Sequence, residues 1–309
     1  MNKKLRILVS VALIGWLAWR TDWQQIRQAG AHLRFGFWLA ALGLYLGIQI
    51  ISGLRWQLLA KPLGYQGSVW QFTGFYFIGM FFNLFLPTSV GGDVMRAWYL
   101  GGGSELSAFL SVLVDRLSGL AVLLTLACVA VVLCPVALPG WIVASVWCTA
   151  GAALASGLLA PALIRGSHRF EKARRLAERS LVYLHRPQLL LGTTVLSLFI
   201  QAGNVVLVWF VGQAVRAPVP ASYYWIMVPM VTLLTMLPVS LNGMGVREGG
   251  TILFLTPLGI SHGTALSLAV LWFAVFTGAS LVGGVLYLAH RFPKPQGQPH
   301  GELEHRIAA

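Results

Sequence analysis

The chain has 309 residues, of which 57% are hydrophobic and only 10% charged, with a formal net charge of +13 and a mean hydropathy of +0.74. A soluble domain of this length does not reach such values, so the fold class is an all-α polytopic membrane protein. The positive balance would suggest nucleic acid in a soluble chain, but the basic residues mostly sit between apolar runs. The charge therefore reads as topology and attraction to anionic lipid, with no nucleic-acid partner expected.

In chain order, the first apolar run extends from about Leu5 to Trp19 behind Lys3, Lys4 and Arg6. It has the outline of a signal peptide, but no small-residue cleavage site follows at Ala18-Trp19-Arg20, which favours an uncleaved first helix. A polar stretch with Arg20, Asp22, Arg27, His32 and Arg34 precedes the second span, from about Phe37 to Leu54, which ends at Arg55 and Trp56. Phe72 to Leu86 is rich in aromatics and leads into a break; Gly101 to Ser104 is a flexible turn. The third span lies within Leu106 to Cys134 and carries Asp115 and Arg116, and the fourth runs from about Trp141 to Ile164. Arg165 to Pro187 is a charged, mostly basic segment that reads as an amphipathic cytoplasmic helix. Leu189 to Val215 is the fifth span, Tyr223 to Leu237 leads into a second break, and Thr264 to Ala289 is the last span. The proline-containing tail from His290 to Ala309 is expected to be disordered. The expectation is one integral membrane domain over residues 1–290, about six full spans plus two re-entrant broken-helix elements.

The two breaks resemble each other. LPTSVGGDVMRAW (Leu86 to Trp98) and LPVSLNGMGVREGG (Leu237 to Gly250), aligned without a gap, share Leu-Pro, then Ser89 with Ser240, Gly92 with Gly243, and Arg96 with Arg247. Proline cannot donate to a helix ladder and paired glycines permit non-helical backbone, so each copy should interrupt a helix. Interrupted helices at matching places in two halves are a sequence pointer to a transporter's binding site. If each break enters and leaves the membrane on one side, every strong basic cluster falls in the cytoplasm. The halves, about 37–134 and about 188–290, would then have inverted topology, with both termini cytoplasmic.

Only nine acids occur in the chain, and Asp93, Asp115 and Glu248 each lie near an arginine, namely Arg96, Arg116 and Arg247. A charge at the bilayer centre costs about 2.5–3.5 kcal/mol on insertion scales, so these groups should face inward and neutralise one another. Asp93 and Arg96, three apart, share a face if helix resumes after Gly92. Plainer roles stay open: Asp115 and Arg116 at the interface, Arg96 and Arg247 as snorkelling anchors, Asp93 and Glu248 as structural ion pairs, Gly91, Gly92 and Gly243 as packing residues. Arginine takes phosphate in a two-pronged grip, so a phosphate-bearing substrate between the two breaks is the chemical expectation. Cys128, Cys134 and Cys148 lack metal or redox spacing, and the seven histidines form no i, i+4 pair. No metal or cofactor is expected, and no nucleophile–base pair marks an enzyme.

FFNLFLPTSVGGDVMRAW, then SVLVDRLSG (Ser111 to Gly119), then LPVSLNGMGVREGG resemble, in that order, the lysylphosphatidylglycerol synthase transmembrane region, a flippase-like integral membrane family. The resemblance extends from about Arg6 to His290. It implies movement of lipids or lipid-linked intermediates between leaflets of a bacterial inner membrane. It also marks Pro87, Ser89, Gly91, Gly92, Asp93, Arg96, Asp115, Arg116, Asn242, Gly243, Arg247 and Glu248 as motif positions. The soluble aminoacyl-transferring domain of fused members is not expected here. The functional expectation is a translocase for an anionic phospholipid or a polyprenyl-phosphate-linked lipid. Arg96 and Arg247 would hold the phosphate, and Asp93 or Glu248 would exchange protons or gate. The alternatives are an accessory subunit partnering a lipid-synthesis or envelope-biogenesis enzyme, and an integral membrane transferase acting on a lipid.

Overall fold

The computed structural model describes residues 33–85, 91–100, 105–165, 171–236 and 243–289. The first apolar run, the cores of both breaks (86–90 and 237–242), the 101–104 turn and the tail lie outside the described residues. Ten α-helices occur among the described residues: α1 (Phe35–Ala60), α2 (Val69–Phe85), α3 (Gly91–Leu100), α4 (Glu105–Leu133), α5 (Gly140–Arg165), α6 (Glu171–Leu184), α7 (Pro187–Ala214), α8 (Ala221–Met236), α9 (Val246–Leu255) and α10 (His262–Ala289). Five of them, α1, α4, α5, α7 and α10, are long and apolar enough to cross a membrane. The protein is thus an all-α polytopic membrane protein, with the second to sixth predicted spans in their predicted places. Apolar side chains such as Leu117, Val132, Leu158, Leu191 and Leu288 face outward, as lipid contact requires.

Local sequence explains where several helices stop. Lys61-Pro62-Leu63 after α1 and Thr256-Pro257-Leu258 after α9 each form one 3-10 turn closed by a left-handed glycine, Gly64 and Gly259. Proline cannot continue the ladder and glycine takes the positive φ at no steric cost.

At the first break the chain folds back on itself. A Cβ placed on Gly92 of α3 would stand 2.1 Å from the Gly79 carbonyl oxygen of α2. Residues 13 apart in a continuous helix would be separated by about 20 Å, so this contact requires α3 to return along α2. At the second break α9 returns along α8, with Gly250 beside Val231 and Leu234. Small residues allow the same close approach elsewhere: Gly53 of α1 meets the Thr73 backbone of α2, and Gly283 of α10 meets the Phe77 carbonyl. Without a hydrophobic force between helices in lipid, such close backbone packing supplies the adhesion.

Helices α1–α4 and α7–α10 form two groups whose packing is reciprocal. Wherever α2 touches α10, α8 touches α4; α1–α2, α2–α3, α3–α4, α1–α4 and α4–α7 likewise have counterparts in α7–α8, α8–α9, α9–α10, α7–α10 and α10–α1. The axis of this exchange is the α1–α7 pair, which runs antiparallel: Arg34 N–H donates to the Ala214 carbonyl at one end, Ile48 touches Gly203 midway, and Arg55 reaches Ser197 further on.

Helix α6 lies outside this exchange. The Tyr183 hydroxyl donates to the Leu59 carbonyl at 2.7 Å and Arg179 donates to Ser107 Oγ at 2.5 Å, pinning α6 to the end of α1 and the start of α4. Burial, with the charge of Asp115 adding to it, raises the Tyr183 hydroxyl above the ordinary phenol value, so it stays a donor.

Candidate functional site

Three helices bring five ionised groups together inside the molecule. Asp115 of α4 is fully buried; its Oδ1 accepts from Arg55 Nε of α1 and its Oδ2 from Arg96 Nη2 of α3, both at 2.8 Å. Arg96 Nη1 also stands 3.5 Å from Asp93 Oδ1, the i, i+3 pair that resumption of helix at Gly91 makes possible. Asp93 Oδ2 pairs with Arg116 Nε. Each carboxylate is therefore held by two guanidiniums, and the cluster carries one net positive charge from Arg55, Arg96 and Arg116 against Asp93 and Asp115. Arg55 Nη1 donates further to Ser197 Oγ of α7 at 2.8 Å.

Arg96 is the centre of this network. Its guanidinium lies between the Trp56 and Tyr76 rings, 4.2 and 4.1 Å from their centroids, a desolvated cation–π arrangement in which each contact is worth about 2 kcal/mol. Trp56 is held in turn by donation from its Nε1 to Ser111 Oγ at 3.1 Å. Gly92 N–H donates to Asn83 Oδ1 at 2.7 Å, which fixes the start of α3 against α2.

Two adjoining cavities meet this cluster. The first, about 290 Å³, is lined by Arg55, Asp93, Arg96, Asp115 and Arg116. The second, about 260 Å³, reaches Arg247 and Trp272. Tyr45, Asn83, Arg116, Gln201 and Asn204 line both, so the chambers share a wall and Arg116 belongs to each. Arg247 of α9 is buried, its guanidinium 5.0 Å from the Phe273 ring and 5.6 Å from Trp272. Glu248 points elsewhere: its carboxylate accepts the Gly245 N–H at 2.5 Å and closes the start of α9. Gly245 has φ of +82° and Gly243 +76°, the left-handed region where glycine is unstrained.

The sequence-derived residues thus divide into groups. Asp93, Arg96, Asp115 and Arg116 converge in one cluster. Gly91 opens α3 and Gly92 packs it. Gly243, Arg247 and Glu248 form the start of α9, and of the three Arg247 lines the second chamber. Pro87, Ser89, Ser240 and Asn242 lie outside the described residues. Arg55, Gln201 and Asn204 were not singled out from the sequence. A signal existed: Gln49, Ser52 and Arg55 on α1, and Ser197, Gln201 and Asn204 on α7, repeat at helical spacing through otherwise apolar spans. No group of three or more potential metal-ligating acid, histidine or cysteine side chains occurs among the described residues.

A family model described as the lysylphosphatidylglycerol synthase TM region matches residues 4–283. The chain belongs to this family. No curated protein matches it. Membership in the lysylphosphatidylglycerol synthase TM-region family makes it a multi-pass, lipid-related membrane protein. The stretch that the family model matches contains all five ionised groups around the first chamber and Arg247 in the second.

Proposed function

We propose that the protein is a lipid translocase of the bacterial inner membrane, moving an anionic phospholipid or a polyprenyl-phosphate-linked lipid between leaflets. The observation that carries this reading is the pair of adjoining chambers that share Arg116 and extend from the carboxylate–arginine cluster to Arg247. A phosphate has no counter-charge in hydrocarbon, and arginines along a protein-lined path supply it with two-pronged donors. Arg116 and Arg247 are the anchors in this reading. Both Nη groups of Arg96 are directed at carboxylates and its faces at two rings, so it braces the wall.

The folded-back pairs α2–α3 and α8–α9 act as re-entrant elements entering from opposite sides, and the halves are an inverted repeat. The reciprocal packing and the antiparallel α1–α7 pair support this arrangement, which alternating access uses. The arginines of α6, Arg174, Arg175 and Arg179, support a cytoplasmic side for that helix, and both termini are assigned to the same side in this reading. The act makes and breaks no covalent bond. With the cytoplasm negative, inward movement of one negative charge costs about 2.3 kcal/mol per 100 mV, so net inward transport needs an ion partner.

The test is leaflet exchange of tail-labelled fluorescent lipids in proteoliposomes. Wild type should accelerate exchange of an anionic lipid, and Arg116→Ala and Arg247→Ala should each slow it at least about tenfold, the loss of one desolvated charge-assisted contact. If no lipid in a panel including polyprenyl phosphate moves faster than in empty vesicles, autonomous translocation is refuted, and dependence of a synthesis enzyme on this chain becomes the next question.

A further inference from the structure

We infer that α6 is a lipid-surface sensor: an interfacial helix that seats on the anionic headgroup layer of one leaflet and, through that seat, steadies the ends of the helices that carry the ionic cluster. Position in the fold is the first reason. Tyr183 donates to Leu59, the penultimate residue of α1, Arg179 donates to Ser107 in the first turn of α4, and α6 also packs against α5 and α7. Only His185 and Arg186 separate it from the start of α7. Leu158 towards the end of α5 and Leu191 near the start of α7 face outward, so α6 stands at the height where hydrocarbon gives way to headgroups.

The faces of the helix are the second reason. Leu176, Arg179 and Tyr183 turn to the protein. Beside them Ala177, Leu181 and Leu184 form an exposed stripe at i, i+4 and i+7, with Leu181 49% and Leu184 67% exposed. Arg174 and Glu178, an exposed i, i+4 ion pair, lie beyond the stripe. A helix with an apolar stripe next to an arginine-bearing face lies in the plane of the interface. Charge is the third reason. From Arg165 to Pro187 seven basic residues stand against two acids, Glu171 and Glu178. Such a cluster attracts anionic headgroups, and the attraction falls away within a Debye length. A soluble acidic partner would meet the arginines but not the stripe, which at this height meets acyl chains.

The consequence for the site follows from where α6 is pinned. Leu59 lies one turn beyond Arg55 on α1, and Ser107 about two turns before Asp115 on α4. A leaflet that holds α6 therefore holds α1 and α4 together next to the Arg55–Asp115 bond. The seat needs only the membrane; the control of activity rests on the translocase reading.

The experiment uses full-length protein in vesicles of phosphatidylcholine, or of equimolar phosphatidylcholine and phosphatidylserine. With the three native cysteines replaced by alanine, a dye on Leu184→Cys should be quenched by lipid-borne quencher, and one on Glu178→Cys by aqueous iodide. Amide exchange across α6 should be at least about tenfold slower in the anionic vesicles, and high salt should remove the difference. Replacing Arg174, Arg175 and Arg186 together by Gln should abolish that protection and slow lipid exchange at least about threefold in the same anionic vesicles, while replacing them by Lys should preserve both. If no lipid moves in any arm, the translocase reading fails and the protection of α6 still decides for or against the seat. A dye at position 184 as open to iodide as that at 178 would make the stripe a protein-docking face and overturn the inference. Equal protection in the two vesicle types overturns it as well, and loss of protection with an unchanged translocation rate refutes the control of the site.

Discussion

Asp115 and Arg116 are neighbours in sequence and have opposite roles because consecutive helical side chains diverge by about 100°. Asp115 is enclosed between Arg55 and Arg96, while Arg116 looks into both cavities. Removing Asp115 would leave two buried guanidiniums without their shared anion, and breaking a buried pair in this way costs about 3–5 kcal/mol. Asp115→Ala should therefore lower the melting temperature in detergent steeply and reduce the yield of folded protein, with Asp115→Asn intermediate. Arg116→Ala should lower the melting temperature less than Asp115→Ala, because Arg116 is partly exposed and Asp93 keeps Arg96, and should lose lipid exchange. Equal destabilisation by Asp115→Ala and Arg116→Ala would make Arg116 a brace and remove it from the binding role. The sequence exposed the Asp93–Arg96 pair through its i, i+3 spacing. It left open whether Asp115 faced inward, since Leu117 to Cys134 alone nearly spans a bilayer. Arg55 escaped notice because an arginine at the end of an apolar run looks like an interfacial anchor; only the approach of α4 and α7 turns it inward.

At the scale of elements, the two Leu-Pro breaks were readable because proline and glycine act through local backbone rules that need no tertiary context. What the local rules could not provide was the return of α3 along α2. That depends on Gly79, one of many glycines in apolar runs, which becomes distinctive only when the Gly92 backbone lies against it. A Cβ at Gly92 would collide with a backbone carbonyl, which cannot rotate away as a side chain can. Gly92→Ala should cost at least about 1–3 kcal/mol, the range for overpacking, and part α3 from α2. Gly249→Ala in α9, where a Cβ meets nothing within 4 Å, should be neutral or slightly stabilising through helix propensity. Chemical denaturation of the two variants in mixed micelles compares them directly; equal stability would mean that the α2–α3 contact is slack. Helix α6 shows the same division. Its charge run announced an amphipathic helix, but its docking depends on Tyr183 reaching the Leu59 carbonyl, a contact 124 residues apart in sequence.

For the whole molecule, reciprocal packing sets two similar halves face to face, yet their electrostatics have diverged. The α1–α4 group contains Asp93 and Asp115, which tie α1, α3 and α4 into one ionic unit through Arg55, Arg96 and Arg116. The α7–α10 group has a single acid, Glu248, which serves its own helix start, and Arg247 faces the rings of α10. Separating α3 from α4 would pull buried ions apart. Shifting α9 along α10 would slide a guanidinium over aromatic faces, a non-directional contact that changes little with small displacements. The half with α8 and α9 is thus the one expected to move, against a frame made by α1–α4. Amide exchange should reveal this difference: the backbone of α3 from Asp93 to Leu100 should be protected longer than that of α9 from Val246 to Leu255, although both helices have ten residues. Adding anionic lipid should slow exchange in α9 more than in α3, because a phosphate drawn to Arg247 would tie α9 to the bound lipid, while α3 is already held by the ionic cluster. Equal protection of the two helices without lipid would show that the ionic cluster confers no rigidity on its half, and the assignment of frame and moving part would have to be abandoned.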